Sequence, residues 1–221
     1  MYPFANRIPV RLFVSVVLLM FLSAPIFAQK DNLPDPDGLR KSGMRRSDCA
    51  GNPPGNNIND SVFPHSKYVF DKDSMNSYSW VTIKNGDKLL LINSSCDAVT
   101  LDFQFTTSRF SADTNDYKYW YPKALELMKE VEKGIYDSPV RIPHGIDTLQ
   151  SFITHYPDSL TLRHVIRYDY DANPPDDVTT DANTYNSYED MFPHMYISRI
   201  EGLADKKYMI EIYFSISLNQ G

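Results

Sequence analysis

The chain has 221 residues, of which 22 are basic and 28 are acidic, so its formal net charge is −6. The first 28 residues contain two arginines and no acidic residue, so the remainder carries −8. Nucleic-acid binding needs a basic face that neutralises phosphates, and this charge argues against it. We expect instead a partner that is basic or uncharged.

The N-terminal segment has the pattern of a bacterial secretory signal peptide. Arg7 and Arg11 precede an apolar run at 12–22, and small residues follow that run. The run is about half the roughly 20 residues that span a bilayer, so a membrane anchor is the weaker alternative. We therefore predict a signal peptide at 1–28 and a mature protein that begins at Gln29, in the periplasm or outside the cell.

A polar segment follows the signal peptide. Residues 29–62 are rich in Pro, Gly, Asn and Asp and offer almost no side chain to a core, which predicts an irregular tail or linker. The remainder, 63–221, is long enough for one domain with its own core. An even number of cysteines in an exported chain indicates a disulfide, so we predict that Cys49 and Cys96 pair. Two unpaired thiols are the alternative.

Several β-rich runs open the predicted domain. The run at 67–70 predicts a short edge strand, and Asn85-Gly86 favours a hairpin with a type I′ turn between the next two strands. After Cys96, apolar and polar residues alternate, so one face of this strand is predicted to be buried and the other wet. The predicted core set is Val99, Leu101, Phe103 and Phe105, and the predicted wet set includes Asp102 and Gln104.

Two helices follow in the prediction. In 122–137, Pro122 suits a first helical position, and apolar residues recur at the helical spacing on one side. A second, shorter helix is predicted from Asp147, as N-cap, to about His155, because a proline comes soon afterwards.

Three further strands are predicted at 160–170, 194–202 and 207–218, the last two as a hairpin. The resulting order is β-β-β-α-α-β-β-β. This order is typical of an α+β fold, in which two helices pack on one face of an antiparallel sheet.

The sequence contains none of the strong catalytic or cofactor motifs. The G-x-S-x-G, H-E-x-x-H, P-loop and Rossmann glycine patterns are missing, and the five histidines are scattered without metal-ligand spacing. We therefore predict no catalytic residue, no metal ligand and no cofactor.

Two segments are candidates for partner binding. Trp120 and Tyr121 belong to the aromatic run 117–121, which either anchors a partner or seals a helix against the sheet. The segment 171–190 carries six acidic residues and no basic one. It is interpreted as a solvated loop, a landing site for a basic partner or, third, a source of calcium ligands. Its candidate contact residues are Asp176, Asp177 and Asp181.

The leading functional hypothesis is an exported, non-catalytic binding protein, for example an inhibitor or immunity-type protein that acts on a protein partner in the cell envelope. One alternative is an envelope hydrolase or carbohydrate-active enzyme with a site near the aromatic run. Another is a structural accessory of an envelope assembly.

Overall fold

The structure, a computed structural model, describes residues 53–95, 98–136, 140–168 and 193–217. These residues form seven strands, two α-helices and two short 3₁₀ turns. The strands are β1 (Lys67–Asp71), β2 (Asn76–Thr82), β3 (Lys88–Ser95), β4 (Ala98–Thr107), β5 (Ile166–Arg167), β6 (His194–Gly202) and β7 (Tyr208–Ser217). The helices are α1 (Tyr117–Val131) and α2 (Ile142–His155), and the 3₁₀ turns are Glu132–Gly134 and Ala204–Lys206.

All seven strands belong to one antiparallel sheet in the spatial order β1-β2-β3-β4-β7-β6-β5. The N-terminal meander and the C-terminal hairpin meet at the centre, where β4 and β7 pair from Ala98↔Ser217 to Thr107↔Tyr208. The predicted α+β class, the edge strand at 67–70 and the C-terminal hairpin are confirmed. The spatial order was not predictable from the local patterns.

The helices cover one face of the sheet, which we call the helix face. The predicted alternation in β4 is confirmed, because Phe103 and Phe105 are fully buried. Phe103 meets Phe214 of β7 edge to face, with ring centroids 5.5 Å apart. Aromatic pairs of this geometry add to the free energy gained by burying their area. The other buried apolar residues of β4 and β7 on this face are Val99, Leu101, Ile210 and Ile212.

The hairpin between β2 and β3 forms, but its turn differs from the predicted type I′. Gly86 N donates to Ile83 O at 2.9 Å, and Ile83 N donates to Asp87 O at 2.8 Å. Gly86 has a positive φ of 84°, whereas Asn85 does not have a positive φ. This is the pattern of a three-residue loop that ends in a left-handed glycine and a bulge. The Asn-Gly dipeptide therefore located the hairpin but not its turn type.

Helix α1 begins five residues earlier than predicted. Asp116 caps it, since its Oδ1 accepts from Tyr119 N at 3.2 Å. Pro122 consequently lies inside the helix, in its second turn, and not at the first position. A proline there removes one backbone hydrogen bond near the start of the helix. The cap at Asp116 and the burial of the following residues offset this loss.

Helix α2 begins six residues earlier than predicted, with Arg141 at the N-cap position, so Asp147 is an exposed helical residue and not the N-cap. Pro143 lies in the first turn, where a missing N–H costs nothing. Gly145 lets α2 approach the sheet closely, because a Cβ atom at this position would lie 2.5 Å from the Phe214 ring.

The predicted strand at 160–170 is mostly wrong. Only Ile166–Arg167 is a strand within 160–168, and 169–170 lie outside the described residues. Arg163 has a φ of 59°, in the left-handed region, so the backbone turns just before the strand. Leu160 and Ile166 are nevertheless buried, because the turn still directs them to the core.

Part of the predicted tail packs on the helix face beside β1, β2 and β3. Ile58 is 1% exposed and forms an isolated bridge with Ile135. Asn57 Oδ1 accepts from Asn93 Nδ2, and Pro54 O accepts from the Tyr68 hydroxyl at 3.0 Å. The sheet residues under this segment are small or polar, so hydrogen bonds replace the apolar packing found at the centre. The polar composition of 29–62 did not reveal this burial.

An ion-pair cluster ties the β2–β3 turn to α1. Arg109 Nε donates to Asp87 Oδ2 at 2.6 Å, and its two terminal nitrogens donate to Glu130 at 2.8 and 2.9 Å. Asp87 is almost fully buried, so water does not solvate its carboxylate, and the Arg109 guanidinium compensates the charge instead. We assign this cluster a structural role, because each charge already has an opposite charge beside it.

Candidate functional site

The face of the sheet opposite the helices, which we call the outer face, has polar side chains at its centre. Strand alternation places Asp102 and Gln104 of β4 on this face, and Glu211 of β7 lies directly opposite Gln104. Arg199 of β6 lies on the other side of Glu211, next to a bulge that separates it from Ile197. We call Asp102, Gln104, Glu211 and Arg199 the polar centre.

Gln104 connects the two carboxyl groups of the polar centre. Its Nε2 donates to Asp102 Oδ2 at 3.0 Å and to Glu211 Oε1 at 3.2 Å. The second oxygen of Glu211, Oε2, accepts from Arg199 Nε at 2.8 Å. Glu211 is therefore held between an amide and a guanidinium, whereas the guanidinium does not bond to Asp102.

The surroundings of Asp102 remove water from its carboxyl group. The register places Ile92 of β3 on one side of it and Tyr213 of β7 on the other. Tyr213 in turn stacks on Tyr196 of β6, with ring centroids 4.9 Å apart. A carboxylate among such neighbours loses hydration that its hydrogen bonds must replace.

This environment favours the protonated form of Asp102. Burial, then the negative charge of Glu211 and a hydrogen bond with it, raise the pKa of Asp102 from its ordinary value of 3.8 to about 8. The Gln104 hydrogen bond and the Arg199 charge oppose this rise but do not cancel it. Near neutral pH, the protonated form of Asp102 therefore predominates.

Two polar atoms on the outer face are buried without a hydrogen-bond partner among the described residues. One is Asp102 Oδ1, and the other is Nε1 of Trp80. Trp80 of β2 pairs with Leu90 of β3, and Leu90 pairs with Gln104 of β4. Since paired residues share a face, Trp80 lies on the outer face. A buried polar atom without a partner costs free energy and is uncommon in native proteins. Each of these atoms keeps an unused hydrogen-bonding capacity on the outer face, an acceptor at Asp102 and a donor at Trp80.

The polar centre has the chemistry of a cation-accepting or proton-transferring group. The Asp102 carboxyl group holds a proton near neutral pH, and this proton can exchange for another cation. Within the described ranges, no three His, Cys, Asp or Glu side chains come together to hold a metal ion.

The aromatic residues predicted as partner contacts lie in the core. Trp120 and Tyr121 are both 0% exposed. Trp120 Nε1 donates to Asp113 O at 2.8 Å, and the Tyr121 hydroxyl donates to Thr161 O at 2.6 Å. Of the two interpretations of the aromatic run, the structure therefore places these rings as packing residues. The run belongs to α1, and that helical phase turns both rings toward the sheet.

The remaining predicted site residues lie outside the described parts of the chain. They are Cys49 and Cys96, predicted to pair, and the acidic residues Asp176, Asp177 and Asp181. The disulfide and the acidic landing site stay predictions.

The sequence analysis missed the polar centre. Asp102 and Gln104 were assigned to a wet face, and Glu211 and Arg199 to no site at all. The available signal was the pair of polar residues two apart in a strand rich in phenylalanine. That signal alone does not tell which residues of β6 and β7 lie opposite, because register comes from the whole sheet.

Comparisons with known proteins found no similarity that carries a function. No protein-family model matches the sequence, and neither a curated protein nor a solved structure matches it. In the described portion of the chain, neither helix is long and apolar enough to cross a membrane.

Proposed function

We propose that this protein is an exported, non-catalytic binding protein that holds a positively charged side chain of an envelope protein at its polar centre. An inhibitor or immunity-type protein is an example of this class. Export is inferred from the N-terminal pattern of charged, apolar and small residues. The observation that carries the binding proposal is Asp102 Oδ1, a buried acceptor to which no residue in the described ranges donates a hydrogen bond.

The partner's chemistry follows from the charge of the site. A lysine or arginine side chain brings the donors that Asp102 Oδ1 lacks and replaces the proton on Asp102. The mature chain's charge of −8 attracts a basic partner at long range. Because Oδ1 is closed to water, the incoming side chain must displace part of its cover, and Arg199, 47% exposed, marks the open end of the polar centre.

The test begins with immobilised mature protein and an envelope extract, followed by affinity measurements on the captured partner. Asp102→Asn should weaken binding by about tenfold or more, since a charged hydrogen bond is lost. Asp158→Asn is the matched control, because it removes an equal charge from an exposed residue that bonds only to Lys118 among the described residues. Equal affinities of the two variants would contradict the proposal.

A second measurement tests the exchange of proton for cation. Affinity should rise between pH 7 and pH 9, because the proton on Asp102 competes with the partner's cation. Asp102→Asn should lose this pH dependence. A wild-type affinity that falls or stays constant over this range would exclude the polar centre as the binding site.

An envelope hydrolase remains the second candidate, and one observation favours it. A general acid must be protonated near neutral pH, and the raised pKa of Asp102 meets this requirement beside a second carboxyl group. The predicted location near the aromatic run does not suit this candidate, since Trp120 and Tyr121 are buried there. Cleavage of an envelope glycan or peptide by the purified protein, lost in Asp102→Asn, would replace the binding proposal.

A further inference from the structure

Strand β1 ends the sheet on one side and leaves apolar side chains in contact with water. Within the described residues, β1 pairs with β2 alone. Val69 is 44% exposed and Tyr68 is 38% exposed, and Val62 nearby is 44% exposed. An edge strand with unpaired backbone groups and exposed apolar residues is a template for another strand. The opposite edge strand, β5, has two residues and is too short for this.

The sequence of β1, KYVFD, is complementary to itself in the antiparallel direction. If Val69 lies opposite Val69 of a second copy, Lys67 lies opposite Asp71 of that copy, and Tyr68 lies opposite Phe70. The two end pairs thus join opposite charges, and the pairs between them join apolar residues. Both kinds are favourable cross-strand pairs.

This register also preserves the faces of the sheet. Lys67, Val69 and Asp71 share the outer face, and Tyr68 and Phe70 share the helix face, because side chains alternate along a strand. In this register, each residue of β1 lies opposite a residue of the second copy whose side chain is on the same face of the sheet. A two-fold axis through Val69, perpendicular to the sheet, therefore keeps the helices of both copies on one side.

We propose that two copies of this protein associate through β1 and join their seven-stranded sheets into one continuous sheet. This association uses the edge of the sheet and is independent of the polar centre. Asp71 also accepts from Asp73 N and Ser74 Oγ, each at 2.9 Å. A carboxylate has acceptor capacity for a further donor, so Lys67 of the second copy can bond to it as well.

The dimer is concentration-dependent. A contact built on five residues and a few neighbours buries less than the about 1,200 Å² typical of stable complexes. Sedimentation equilibrium of the mature protein over a wide concentration range should therefore show a reversible shift from monomer to dimer. A wild-type protein that stays monomeric up to about millimolar concentration overturns the proposal.

Substitutions in β1 test the contact itself. Val69→Lys brings two ammonium groups together at the two-fold axis and should weaken dimerisation by at least about tenfold. Leu203→Lys is the matched control, since Leu203 is an exposed apolar residue, 38% exposed, in the β6–β7 connection. It should dimerise like the wild type. Equal dimerisation of both variants, with unchanged melting temperatures, would rule out β1 as the interface.

A charge exchange tests the register. Lys67→Glu and Asp71→Lys should each fail to dimerise alone, because like charges then face each other. A mixture of the two variants should form heterodimers, since every pair is again of opposite charge. If Asp71→Lys does not fold after losing its turn contacts, Lys67→Glu mixed with wild type gives a second measurement, in which intermediate affinity is expected. Heterodimers no tighter than the homodimers would contradict this register.

Discussion

The two faces of the central strands differ in how the chain stabilises them. On the helix face, β4 and β7 bring apolar side chains together, and Phe103, Ile212 and Phe214 are all fully buried. On the outer face, the same two strands place Asp102 and Glu211 among half-buried neighbours. The helix face is stabilised by packing, whereas the outer face depends on hydrogen bonds, one guanidinium and the protonated carboxyl group of Asp102. Strand alternation alone predicts the first arrangement and not the second.

The largest expected effect is on the helix face. Phe103→Ala should lower the free energy of unfolding by about 3–5 kcal/mol, because it empties a buried aromatic site against Phe214. Thr106→Ala in the same strand is the control, with an expected change within about 0.5 kcal/mol. Urea denaturation measures both. Equal losses in the two variants would mean that the faces of β4 do not differ as described.

The two tryptophans provide a second comparison of the faces. Trp120→Ala should also cost about 3–5 kcal/mol, because the ring is fully buried and its Nε1 donates to Asp113 O. Trp80→Ala should cost less, about 1–2 kcal/mol, since the ring is half-buried and its Nε1 has no hydrogen-bond partner in the described part of the chain. Thermal or urea denaturation decides the order. A larger loss for Trp80 would reverse the assignment of core and outer face.

The third prediction concerns pH and the outer face. Between pH about 4 and about 8 the folded protein keeps a proton on Asp102 that the unfolded chain releases, so stability falls as pH rises. Below this range both states are protonated, and above it neither is. From pH 5 to pH 8 the free energy of unfolding should fall by on the order of 2 kcal/mol more in the wild type than in Asp102→Asn. Parallel stability curves for the two proteins would show that Asp102 is not desolvated.

The smallest expected effect is at the amide that joins the carboxyl groups. Gln104→Ala should cost about 1 kcal/mol, because two hydrogen bonds to carboxyl oxygens are lost. Gln104→Glu is a sharper variant, since it adds a third carboxyl group and should destabilise more at pH 8 than at pH 5. Urea titrations at these two pH values give the comparison. Stability of the alanine variant indistinguishable from wild type would mean that the outer face is fully wet at this point.

The sequence predicted those features that local periodicity encodes. The alternation around Phe103, the edge strand at 67–70 and the C-terminal hairpin are found in the structure. Helix starts were misplaced because Pro122 and Asp147 each offered a plausible local signal, while the actual starts depend on which aromatic and apolar residues reach the core. The polar centre depends on register between strands more than 90 residues apart in sequence, from Asp102 to Arg199, and no local pattern specifies it.

The bulge in β6 has a consequence for insertions and deletions in this chain. Ser198 and Arg199 together face Glu211, while Ile197 and Ile200 pair with Ile212 and Ile210. Removing Ser198 would leave a regular ladder in which every other side chain keeps its face. Removing Arg199 would leave the same ladder but would also take away the guanidinium that bonds to Glu211. Removing a residue outside this pair would turn the side chains between it and the bulge toward the opposite face. In evolutionary terms, Ser198 is therefore the position in β6 where a one-residue change of length is compatible with both the fold and this bond.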